Sequence, residues 1–293
     1  MIVAERIVRV TQPYLVRASD RFRQYKPEPR FEVRRAAIAE NETLKAIQQA
    51  WQNFELVKDD LVVIDPKESY ERALELIRNL VYTKADIDNL NLSLAEFQGE
   101  KDFSRRAGIF LSAMINNGSD STYTIFTHHL EDLGALGIYN TKTIIIEGDA
   151  GHGCGIMMNG GTIVIKGNAS ESLGNGMTKG KIIIYGNAGD YAGSFMQGGI
   201  IKIKGNSGNY TGLKMRNGRI TVYGDSGHTL GAEIRAGCIY VMGNVGEGAA
   251  MPMYGGEIHI NGEMAEHLNE EMVRSGKVFH KGKLIFEKQL LTI

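Results

Sequence analysis

Seven times in succession the chain returns to the same residues at a step of nineteen, and a fixed period of that length leaves room for only a few architectures. Gly148, Gly167, Gly186, Gly205, Gly224, Gly243 and Gly262 form one column of the repeat. The next column holds Asp149, Asn168, Asn187, Asn206, Asp225 and Asn244, with Glu263 departing from the pattern. Glycine followed by Asn or Asp is turn chemistry: glycine reaches positive φ freely, and a short polar side chain can bond its own backbone. A third column, Gly161, Gly180, Gly199, Gly218, Gly237 and Gly256, marks a second turn.

Between these turns stand TIIIE, TIVIK, KIIIY, IIKIK, RITVY, CIYVM and EIHIN. Their second position is always isoleucine, from Ile144 to Ile258, and their fourth is Ile or Val, from Ile146 to Ile260. The position between varies from Ile145 to Lys202, Tyr240 and His259, as it does when one face of a strand is buried and the other is not. Met158, Met177, Met196, Met215, Ile234 and Met253 supply a further apolar column. Nineteen residues are too few for a long strand plus a long helix, and they suit a coil of short strands and tight turns. The pattern predicts a mostly β chain: a single-stranded parallel β-helix of seven rungs, right-handed because parallel crossovers are. No rung has a core alone, so both ends need caps. EMAEHLNEEMVRSG reads as a capping helix ended by Gly276, followed by one last strand in KVFHKGKLIFEKQ.

Residues 1–142 are patterned differently and read as a mainly helical module, with 143–293 as β-helix and cap. Leu44, Ile47, Trp51 and Leu56 share a helical face, capped by Asn41 or Thr43. Further helices are expected from Pro66, across TKADIDNLNLSLAEF, and across FSRRAGIFLSAMINN, the last closed by Gly118. Met1–Pro13 is read as a strand or arm. The module should pack on the first rung.

Net charge is −1, which argues against duplex nucleic acid or an anionic membrane as a global partner. The first residues lack the continuous apolar core of a signal peptide, and no apolar window is long enough to span a bilayer. Cys154 and Cys238 are too few for a disulfide framework and lack metal-ligand spacing, so they read as buried thiols in the cytoplasm.

The recurring G-[ND]-x-G-x-x-x-G, as in GDAGHGCG, GNAGDYAG and GNSGNYTG, with Ser170 departing from it in GNASESLG, resembles the GXGXG β-helix family over about residues 100–262. That family includes the C-terminal domain of the glutamate synthase large subunit and one component chain of formylmethanofuran dehydrogenase. FSRRAGIFLSAMINN is similar to the glutamate synthase segment in which an Arg-x-x-Gly helix precedes the first rung, aligning Arg105 or Arg106 and Gly108 with it. The resemblance implies a structural subunit without cofactor, docked to catalytic subunits or to a second copy. FMN and iron–sulfur clusters, or metal and amidohydrolase centres, would then belong to those partners.

Four residues are weak candidates for a site. His152 and Cys154 form GHGCG in the first rung, the raw material of a thiol nucleophile. Yet later rungs place Glu171, Asp190, Asn209 and His228 in the first of these columns and Leu173, Ala192, Thr211 and Leu230 in the second, so a polar turn and a small apolar position explain both. His128 and His129, with Glu131 and Asp132, could bind metal, though adjacent loop histidines more often solvate or meet a partner. Ser207 and Ser226 lack the spacing of an esterase elbow and read as turn residues, and no phosphate-cradling motif stands between a strand and a helix. Lys166, Tyr185, Lys204, Tyr223 and Met242 form an outward stripe, read as a subunit interface rather than a platform for single-stranded nucleic acid. Two rival readings stay open: a free-standing esterase-like hydrolase, and a module whose helices bind a small molecule.

Overall fold

The computed structural model describes residues 42–58 and 65–288; the readings of Met1–Pro13 and of Asn41 as a cap lie outside them. Each isoleucine-rich segment is a strand: β2 (Thr143–Glu147), β3 (Asn159–Ile165), β4 (Lys179–Ile184), β5 (Ile200–Ile203), β6 (Arg219–Val222), β7 (Cys238–Val241) and β8 (Met253–Ile260). They pair in parallel and in sequence order, with Ile144, Ile163, Ile182, Ile201, Ile220, Ile239 and Ile258 in register. A one-residue slip is excluded because it would turn the isoleucine stacks to the outer face.

The count of seven is corrected at both ends. β1 (Thr122–Phe126) precedes β2, and β9 (Val273–His280) follows β8, so among the described residues nine parallel strands enclose eight coils. Thr122 pairs with Thr143, a step of twenty-one, and Glu257 with Lys277, a step of twenty. These coils carry insertions, which hid them from a search at nineteen. The expected capping helix is also wrong: residues 263–272 are irregular chain, bridged to the stack at Met264, and Gly276 lies inside β9 at φ +112. Its helical periodicity loses to the apolar stack, which Val273 and Val278 extend with fully buried side chains. The last predicted strand is a hairpin: β10 (Lys283–Lys288) returns antiparallel to β9 through Lys281 and Gly282, both at positive φ, as a two-residue turn requires.

The interior is a set of ladders. Both isoleucine columns and the methionine column are fully buried. A fourth wall comes from single bridges joining Ala150, Ala169, Ala188, Ser207, Ser226, Val245 and Met264. Ser207 and Ser226 are thus inward residues of that wall, and the Ser207 hydroxyl donates to that of Ser226 at 3.0 Å.

The Gly-Asn column works otherwise than expected. Its side chains bond the next rung rather than their own backbone: Asn168 Oδ1 accepts from Asn187 N–H at 2.9 Å, and Asn187 Oδ1 from Asn206 N–H at 2.8 Å. Nor does Gly186 have positive φ. A Cβ there would stand 2.6 Å from the Gly167 carbonyl oxygen and 2.5 Å from Asn168 Oδ1, so glycine is required by the close stacking of successive turns.

Among the described residues four α-helices precede β1, and the last three of them lie against the first coil. α1 (Glu42–Gln52) buries Leu44, Ile47 and Trp51, with Thr43 inside the helix rather than capping it. α2 (Pro66–Ile77) is capped by Asp65, whose Oδ1 accepts from Lys67 N–H and Glu68 N–H. α3 (Lys84–Ser93) opens on a Thr83–Asp86 capping box, and α4 (Phe103–Asn117) ends at Gly118, whose N–H bonds the Met114 carbonyl at 2.9 Å. α4 presents Ser104, Gly108 and Ser112, one turn apart, to the first coil: Gly134 N–H donates to Ser104 Oγ at 2.9 Å and Gly137 N–H to Ser112 Oγ at 2.8 Å. α3 closes the sheet edge, because Asn91 both accepts from Phe126 N–H (2.9 Å) and donates to its carbonyl (3.1 Å), as a neighbouring strand would.

Candidate functional site

Where α4 begins, its first turn and the first coil leave a cleft of about 460 Å³ lined by Gln98, Ser104, Arg105, Glu131, Asp132 and His152, among others. The chain reaches it through Asp102, held at φ +57. Most of its polar groups already have partners. The Ser104 hydroxyl donates to Asp132, and the Glu131 N–H donates to Gln98 Oε1. Asp102 is 2.6 Å from Lys58 Nζ, and that bond holds its carboxyl below the usual carboxylate range. Glu100 is taken by Arg106 at 2.7 Å.

Of the four residues singled out in the sequence, only His152 lines this cleft. Cys154 lies two residues on, fully buried inside the coil, and burial pushes its thiol up to about 12. The two are therefore not paired as nucleophile and base. His129 is half-buried with a ring nitrogen 2.9 Å from the Asn91 carbonyl; burial is the main cause that lowers its pKa, so it is neutral near pH 7 and serves as a strut. His128 is exposed. Among the described residues, no group of three or more His, Cys, Asp or Glu could hold a metal ion, and no helix is long and apolar enough to cross a membrane.

Cys238 corrects the reading of two buried thiols, since it is only half-buried. Native protein near neutral pH should therefore show slow modification of Cys238 alone by a thiol reagent, with Cys154 reacting only after denaturation. Fast native labelling of Cys154 would contradict its interior position. Because the folded protein holds the Cys154 proton more tightly than the unfolded chain, its contribution to stability is complete below an ordinary thiol value of about 9 and declines as pH rises toward about 12. The full loss is roughly 4 kcal/mol at the alkaline limit.

More side chains are presented outward than into the cleft. On the strand wall Tyr185 and Tyr223 are exposed, with Lys166 Nζ 5.1 Å from the Tyr185 ring centre and Lys204 Nζ 4.0 Å from that of Tyr223. Tyr240, His259 and Phe279 continue as a ring stack with centroids 4.3 Å apart at each step. On the turn side, Tyr191 and Tyr210 stack at 5.0 Å with planes 4° apart, and Met157 and Phe195 are exposed.

A family model described as GXGXG motif matches residues 95–292. The chain belongs to the GXGXG motif family. The match takes in α4 as well as the whole solenoid, so the helix seated on the first coil is part of the GXGXG unit, which is the domain type found in glutamate synthase-like proteins. Arg105 and Arg106 of that helix have different surroundings. Arg106 donates to the Phe54 and Trp51 carbonyls at 3.0 and 3.2 Å and lies 4.5 Å from the Trp51 ring centre, so it ties α4 to the end of α1. Arg105 faces the cleft instead. No curated protein matches the chain.

Proposed function

We propose that this GXGXG chain is a structural and docking subunit of a multi-subunit enzyme of glutamate synthase type, working in the cytoplasm beside separately folded catalytic subunits that carry FMN and iron–sulfur clusters. The observation that carries the reading is the contrast between the two surfaces of the solenoid. Its interior is filled by isoleucine, methionine and alanine ladders, while tyrosines, lysines and a histidine stand in regular columns outside. Aromatic residues and basic side chains on a rigid flat wall are what a protein interface uses for anchors. The family match, which extends through α4, supports the glutamate synthase side.

Activity reconstitution tests the proposal. Extract from cells lacking the chain should have lost most of its glutamine-dependent glutamate formation, and the purified chain should restore it. Full activity without the chain would refute the assignment.

A further inference from the structure

The outward positions of β3 to β7, with the residue following each strand, run Thr162, Val164 and Lys166, then Lys181, Ile183 and Tyr185, then Ile200, Lys202 and Lys204, then Arg219, Thr221 and Tyr223, then Cys238, Tyr240 and Met242. Five cations stand there and no carboxylate, although the whole chain has a net charge of −1. Carboxylates reappear only on the flanking strands, at Glu147 of β2 and Glu257 of β8. Among the described residues, none of the five cations has an ion pair. Three rest on rings instead: Lys166 on Tyr185, Lys204 on Tyr223 and Arg219 on Tyr240, at 5.1, 4.0 and 5.5 Å. A ring leaves the cation's hydrogen-bond donors free, as a carboxylate would not.

We propose that this wall receives a short, extended, carboxylate-rich segment of a partner protein, which deepens the docking role and rests on it. Charge complementarity sets the sign of the occupant. Size sets its kind: four strand spacings by four residues give a face of about 19 Å by 13 Å, on the order of 250 Å². A globular interface covers about 800 Å² per partner, whereas about six extended residues span this wall. A single-stranded nucleic acid would meet the same charge, but its bases need free ring faces, and here one face each of Tyr185, Tyr223 and Tyr240 is taken by a cation, while Tyr240 also stacks on His259.

The test uses the full chain, fluorescein-labelled hexaglutamate and a labelled thymidine hexanucleotide, read by fluorescence anisotropy. Hexaglutamate should bind at low salt and release at about 0.5 M. The double variant Lys202→Glu, Lys204→Glu should weaken it by at least about tenfold. Both side chains point outward, so circular dichroism of the variant should be unchanged, and Lys67→Glu on α2 should bind as wild type. Absence of binding, equal binding by the double variant, or tighter binding of the hexanucleotide overturns the proposal. If the chain is isolated alone yet hexaglutamate binds as described, the wall assignment stands and the subunit reading falls. If partners co-isolate equally well with the double variant and hexaglutamate does not discriminate, the wall assignment falls and the subunit reading stands.

Discussion

Gly108→Ala is expected to cost about 3–5 kcal/mol, enough to separate the helices from the solenoid. A Cβ at this position would lie 1.8 Å from the Gly134 carbonyl oxygen and 2.8 Å from its carbon. Both are backbone atoms of the first coil, so no side chain can swing away. Relief requires moving α4 outward, which also breaks the bonds of Ser104 to Gly134 and Ser112 to Gly137. The intrinsic gain of alanine over glycine within a helix is only about 1 kcal/mol and does not compensate. Trp51 is the single tryptophan and packs edge-on against Phe110 of α4, so its emission reports the helices while circular dichroism follows the strands. Urea unfolding should show the tryptophan transition well ahead of the strand transition. Gly99→Ala, with nothing within 4 Å of the new methyl, should move neither. A Gly108→Ala protein as stable as wild type would mean that α4 does not rest on the coil by its backbone.

The second large effect separates two glycines of nearly equal conformation. Gly153 has φ +69 and Gly193 has φ +67, so alanine at either meets the same left-handed penalty of about 1–2 kcal/mol. At Gly153 nothing lies within 4 Å of the added methyl, and the equivalent positions of later coils are Ser172, Tyr191, Tyr210 and Thr229, all at positive φ. At Gly193 the methyl would stand 2.4 Å from Ile220 Cδ1 and 3.3 Å from Ile201 Cδ1, inside the fully buried isoleucine ladder. Gly153→Ala should therefore cost about 1 kcal/mol, and Gly193→Ala about 3 kcal/mol or more. In a stack whose stability is largely a sum of neighbour interfaces, the damage should be local. Hydrogen exchange should accelerate in β4 to β6 and little in β2. Equal costs for the two substitutions would show that crowding against the ladder is not what selects glycine there.

These two cases also show which features can be read from residues alone. The isoleucine columns were legible because one periodicity sits inside another: alternation of two within a step of nineteen admits one register. β1 was not, and β9 was read only as part of a final strand rather than as a further rung, since steps of twenty-one and twenty break the columns while preserving inward residues such as Tyr123, Ile125 and Val278. Glycine columns were visible, but not the reason for each. Gly186 and Gly193 look alike in the sequence, and one is set by a neighbouring turn while the other is set by φ and a side-chain ladder. The cleft was illegible in a different way. Ser104 and Asp132 meet only because α4 folds back over the first coil, and no spacing in the sequence encodes that contact. His152 and Cys154 were adjacent in pattern yet face opposite sides of the turn, one toward the cleft and one into the core.

The docking role itself is tested most directly by isolating the tagged chain under gentle conditions from the cells that make it and measuring the mass and cofactor content of what elutes. The account predicts a stoichiometric assembly with at least one other polypeptide, bearing flavin and iron–sulfur absorbance that the chain alone lacks. A chain that elutes in every preparation at the mass of its own polypeptide, free of other subunits, would contradict it.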